Sequence, residues 1–138
     1  MQELEQIQLR GFRNIIDVHG SVTGFQVPYR STGYRGEWLT QLSEATITVD
    51  GEKFEGDQIT WTIAGKTYQQ KDLKNYPNVC WSPLELCIFS VKKPGGLKLG
   101  KHDVEVAFGY TSSYTPYPYE DITKVRITPV KRTMTLAG

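Results

Sequence analysis

Two histidines, His19 and His102, two cysteines, Cys80 and Cys87, and acids such as Glu37, Glu44 and Glu85 are the side chains that could move protons or form covalent bonds. A nucleophile needs a base beside it, most often histidine. Each histidine here stands by itself, in a turn or at a strand start. The spacings H-x-H, H-E-x-x-H and C-x-x-C are absent, so no pair of transition-metal ligands is set on one face. Both histidines are expected to be solvated turn residues. Glycoside hydrolysis takes two acids facing each other across a cleft, and nothing in the sequence pairs Glu37, Glu44 or Glu85. The run Gly95-Gly96-Leu97-Lys98-Leu99-Gly100 looks like a phosphate loop, yet it leads into a strand, whereas phosphate cradles use the start of a helix. It reads as a hairpin connection. Cys80 and Cys87 could bridge across a hairpin, but the expectation is two small buried hydrophobes.

What remains is aromatic and cationic. The stretch GFQVPYRSTGYRGEWL, residues 24–39, sets two Tyr-Arg pairs five residues apart among glycines, with the period of neither helix nor strand. A second irregular stretch, TSSYTPYPYE at 111–120, carries three more tyrosines and two prolines. Tyrosine and arginine anchor protein interfaces because they remove large area from water at small entropic cost; sugars and phenolic rings bind the same surfaces. For Tyr29 or Trp38 singly, the plainer reading is a plug for the end of a sandwich. A core plug has no need of Arg30 and Arg35, so the candidate contact cluster is Tyr29, Arg30, Tyr34, Arg35 and Trp38. Tyr114 and Tyr117 form a second candidate patch.

The elements that must carry these residues are strands. Thr46–Asp50, Ile59–Ile63 and Val104–Phe108 alternate apolar with polar side chains, and Lys124–Thr128 repeats the pattern. Turns between them are written out: His19-Gly20, Asp50-Gly51 (suited to a type I′ hairpin), Ala64-Gly65, Pro94-Gly95-Gly96 and Gly100. Eight or nine short strands with turns about every ten residues predict an all-β fold, an antiparallel, jelly-roll-like β-sandwich. Only Gln69–Asn75 is suited to a helical turn. Pro129 inside the last strand implies a sheet edge. The 138 residues fit one domain, 1–138. A net charge of +1 without like-charge runs leaves no footprint for nucleic acid or anionic membrane. With no apolar leader at the N-terminus and two cysteines, a soluble, cytoplasmic protein is expected.

In order, Phe12-Arg13-Asn14, Val22-Thr23-Gly24-Phe25-Gln26, Tyr34-Arg35-Gly36 and Ile47-Thr48-Val49-Asp50-Gly51-Glu52 resemble the small (β) subunit of bacterial C-glycoside deglycosidases. The match continues through Trp61–Tyr68, Val91–Leu97 and Gly100–Val106, and covers the chain up to about Tyr110. Singly these are strand-and-turn text; their order and spacing are far more specific.

The resemblance implies a heteromeric enzyme. A larger α subunit, a TIM barrel, would hold a divalent metal, manganese, and the acid–base groups. The substrate would be a 3-oxo-C-glucoside of a flavonoid or isoflavonoid, placed at or near the subunit interface. Its C3 carbonyl acidifies the C2 proton, and the C1–aryl bond leaves by β-elimination. A chain without base, nucleophile or metal ligands suits the non-catalytic partner, with residues 29–38 against the barrel mouth, where TIM-barrel sites lie. The competing reading is a stand-alone carbohydrate- or phenolic-glycoside-binding sandwich.

Overall fold

The computed structural model describes residues 6–30, 37–82, 85–110, 126–127 and 129–137. In chain order the strands are β1 (Arg13–Ile16), β2 (Val22–Arg30), β3 (Glu37–Trp38), β4 (Thr46–Val49), β5 (Glu52–Phe54), β6 (Ile59–Ile63) and β7 (Lys66–Gln69). They continue as β8 (Cys80–Trp81), β9 (Leu86–Lys92), β10 (Gly100–Ala107), β11 (Gly109–Tyr110), β12 (Arg126–Ile127) and β13 (Val130–Leu136). Helical structure among the described residues is confined to 3-10 turns at Leu39–Gln41, Gly56–Gln58 and Gln70–Asn75. None is long and apolar enough to cross a membrane.

The strands form a five-stranded sheet, β1-β2-β9-β6-β7, and a four-stranded sheet, β13-β10-β4-β5, with two small ribbons, β11-β12 and β3-β8. Every pairing is antiparallel, as expected of the alternation. Ile59, Trp61 and Ile63 point inward while Thr60 and Thr62 point out, and Ile47 and Val49 do the same in β4. The two sheets meet where Phe25 of β2 sets its ring edge-on to Phe54 of β5, 5.4 Å between centroids. Trp61, Trp81 and Phe89, all fully buried, fill the interior beside them.

The turn chemistry behaves as written. Asp50 and Gly51 both take positive φ, 50° and 88°, closing β4 onto β5; Ala64 and Gly65, at 53° and 81°, do so for β6 and β7. Gly24 is required for a different reason: a Cβ built there would lie 1.9 Å from the carbonyl oxygen of Val91. The 3-10 turn at Gln70–Asn75 falls within the expected helical stretch. Pro129 immediately precedes β13, an edge strand, so its missing N–H costs no ladder bond.

One expected connection changes. The Gly95–Gly100 connection is not a hairpin: it carries the chain from β9 in one sheet to β10 in the other. Glycines at 95 and 96, both with positive φ, let it turn out of the plane that a hairpin would keep. The N-terminal segment also does structural work that its sequence did not advertise. Ile7 is fully buried and bridges Tyr29, the Gln8 N–H donates to the Pro28 carbonyl and the Arg30 N–H to that of Gln6. An Arg132 guanidinium N–H donates to the Ile7 carbonyl at 2.7 Å, so this segment ties β2 to β13.

Candidate functional site

The end of β2 separates the predicted cluster into two kinds of residue. Tyr29 shares the inward face with Phe25 and Val27 and is only 4% exposed. Its ring lies 5.1 Å from Phe108, 5.7 Å from Phe89 and 6.1 Å from Trp81, and its hydroxyl accepts a hydrogen bond from the Gln6 amide at 3.0 Å. Tyr29 is thus the plug of the plainer reading. Arg30 follows on the opposite face, half-buried and paired in register with Leu86.

Trp38 is of the other kind. It sits in β3 opposite Cys80 of β8 and is 45% exposed, a large ring left in solvent. Its backbone N–H donates to the Gln41 side chain at 3.1 Å, which holds the start of the following 3-10 turn. Trp81, next in β8, is fully buried against Tyr29, and its indole N–H donates to the Glu85 carbonyl at 2.9 Å. That bond anchors the entry to β9, where Leu86 is again 42% exposed. Trp81 thus packs beneath the end of β2, where Arg30 and Leu86 pair on the outward face of the sheet, while Trp38 stands exposed on the neighbouring β3–β8 ribbon. Tyr34, Arg35, Tyr114 and Tyr117 lie outside the described residues.

The histidines divide as well. His19 is exposed in the β1–β2 turn, as expected. His102 is not a solvated turn residue: it is 8% exposed on the inward face of β10. Nδ1 lies 2.6 Å from Asp50 Oδ2 and Nε2 lies 2.6 Å from the Lys98 carbonyl. Both neighbours are acceptors, so only the imidazolium supplies two donors. Burial pulls the His102 pKa down, but the bonds to Lys98 and Asp50 outweigh it and the net displacement is upward. The Asp103 N–H, then His102, hold the Asp50 carboxyl below its ordinary value. A histidine engaged at both nitrogens is a structural clasp and has no lone pair to serve as a base.

Gln70 is another buried polar residue that sequence reasoning passed over. Buried at 3% exposure, its carbonyl oxygen accepts from the Ala45 N–H at 2.6 Å and the Trp61 indole at 2.8 Å. Its amide donates to the carbonyls of Ala45 and Gly56 at 3.1 and 3.0 Å. Every hydrogen-bonding site is used, which is what permits an amide in an apolar interior. A polar Gln-Gln-Lys-Asp run carries no local sign that its second residue turns inward. No disulfide joins the cysteines. Cys87 is buried as expected and burial pushes its thiol well up, while Cys80 is exposed on the short β8 ribbon, against expectation.

Comparison with known proteins adds what geometry alone does not. The sequence profile of the family described as C-glycoside deglycosidase beta subunit matches residues 3–114. A protein of Eubacterium cellulosolvens named C-glycoside deglycosidase beta subunit is 42% identical over 119 residues, 86% of this chain and 81% of that one.

Proposed function

The chain belongs to the C-glycoside deglycosidase beta subunit family, and from that premise we propose that it is the non-catalytic subunit of such an enzyme. The identity to the Eubacterium protein across most of both chains is the observation that carries the reading. The partner, on this reading, is a TIM-barrel α subunit that holds the acid–base groups. It acts as a carbon–carbon lyase on 3-oxo-C-glucosides of flavonoids or isoflavonoids, in the cytoplasm. Abstraction of the proton at C2, made acidic by the C3 carbonyl, and protonation of the aglycone carbon release the C1–aryl bond.

The residues of this chain support that division of labour. His102 is committed to Asp50 and Lys98, and burial suppresses the Cys87 thiolate. On this reading the divalent metal, manganese, that the enzyme needs is held by the partner subunit. What this chain offers is shape: Arg30 and Trp38, with Tyr34 and Arg35, dock at the barrel mouth and close the pocket over the substrate, and Tyr114 and Tyr117 add a second contact.

Mixing the purified chain with the deglycosidase large subunit, with turnover of a 3-oxo-C-glucoside as readout, tests this. Activity that requires both chains, and falls with Trp38→Ala, is the expected result. A large subunit equally active without its partner, or glycoside binding by the isolated chain at undiminished strength, overturns it in favour of a stand-alone module.

A further inference from the structure

The two outer faces of the sandwich differ in kind. On the four-stranded sheet, register sets Lys131, Glu105, Thr48 and Lys53 in one rung, with Asp103 and Lys101 beside them on β10. Opposite charges across neighbouring strands suit a face kept in water. On the five-stranded sheet the central rung is Gln26, Ser90, Thr60 and Gln69. The next rung holds Ile88, Thr62 and Thr67, the two threonine hydroxyls 2.9 Å apart. Neither rung holds an acid. The charges at their rim are cations, exposed Arg13 on β1 and exposed Lys92 on β9. A hollow of about 430 Å³, lined by Ile15, Thr23, Thr60, Ser90, Lys92 and Pro94, opens there; one of about 440 Å³ on the four-stranded face is lined instead by charged Asp103, Glu105, Lys131 and Arg132.

A surface meant only for solvent has no reason to exclude charge from its centre, whereas the buried core of an interface does. Short hydroxyl side chains also lose little rotamer freedom on burial. We infer that the outer face of the five-stranded sheet, on which Arg30 and Leu86 also lie by register, is a further packing surface for the partner subunit, beyond the contact made by Trp38. The partner brings uncharged side chains against the Thr60–Ser90 rung and carboxylates against Arg13 and Lys92. A second copy of this chain fits less well, because among the described residues the face has no acid to answer its own cations. The inference rests on the heteromeric reading above.

The test uses the full chain and the deglycosidase large subunit, with affinity read by sedimentation and folding by thermal melting. Thr60→Glu and Lys92→Glu are each expected to weaken assembly at least about tenfold, because each opposes the partner's carboxylates. Thr48→Glu, on the other sheet, is expected to stay within about twofold, since the exposed face it alters faces water. If Thr60→Glu fails to fold, Lys92→Glu at its exposed site decides alone. Both variants assembling like the unaltered chain, or self-association through this face, overturns the inference and leaves the heteromeric reading standing. An unaltered chain that binds no large subunit overturns that reading, and this inference with it.

Discussion

His102 and Asp50, 52 residues apart in sequence, meet at 2.6 Å and join the β4–β5 turn to β10. Asp50 also accepts the Asp103 N–H at 2.8 Å, and Asp103 in turn accepts the Thr133 hydroxyl at 2.6 Å, so the clasp reaches the edge strand β13. Because the His102 pKa is raised in the folded chain, its contribution is complete below the ordinary histidine value and fades as pH climbs through the folded value. Asp50, lowered in the fold, contributes above the ordinary carboxylate value and fails as pH falls. Stability from this pair is therefore greatest between about pH 4 and about pH 6.5 and declines toward alkaline pH. Melting temperatures measured from pH 5 to pH 9 will fall for the unaltered chain and fall less for His102→Gln.

Replacing Gln70 by leucine keeps the volume and removes all four hydrogen bonds. The Trp61 indole, the Ala45 N–H and two carbonyls then lie near an apolar side chain in a buried setting. Urea unfolding is expected to register a loss of about 3 kcal/mol, the cost of leaving several buried groups unpaired.

Tyr29 in β2 is packed inside and Trp38 in β3 is left in solvent, so their substitutions read different properties. Tyr29→Ala empties a site lined by three rings and is expected to cost about 3–5 kcal/mol of stability. Trp38→Ala removes a ring already 45% exposed, and should leave the melt nearly unchanged while weakening assembly with the large subunit by about 2 kcal/mol, the loss usual for an interface anchor.

Gly24→Ala probes the β2–β9 ladder. The added methyl meets backbone, the Val91 carbonyl oxygen at 1.9 Å, which has no rotamer to escape into. A loss of about 3 kcal/mol is expected, as for overpacked cores, read as a lower denaturation midpoint with the slope retained.

The cysteines answer a chemical probe. One rapidly reacting thiol per native chain, mapping to Cys80, and a second released only on unfolding, mapping to Cys87, is the outcome that their exposure predicts. A native chain with two fast thiols would contradict the burial of β9.

Strand identity and turn type were legible without coordinates, because both are local. Alternation in Ile59–Ile63 assigns each side chain to a face, and Asp-Gly at 50–51 selects a turn that accepts positive φ twice. Family membership was legible too, since the order and spacing of such segments survive where single motifs are uninformative. Sheet membership was not. Period-two patterning fixes which face of a strand is apolar but says nothing of its neighbours, so β9 inserting between β2 and β6, and Gly95–Gly100 crossing between sheets, required the folded chain. The same limit hid His102 and Gln70, whose partners are distant in sequence or on the far side of a turn. It also left Tyr29 among the candidates for contact, although only packing decided that its ring closes the interior while Trp38 remains outside.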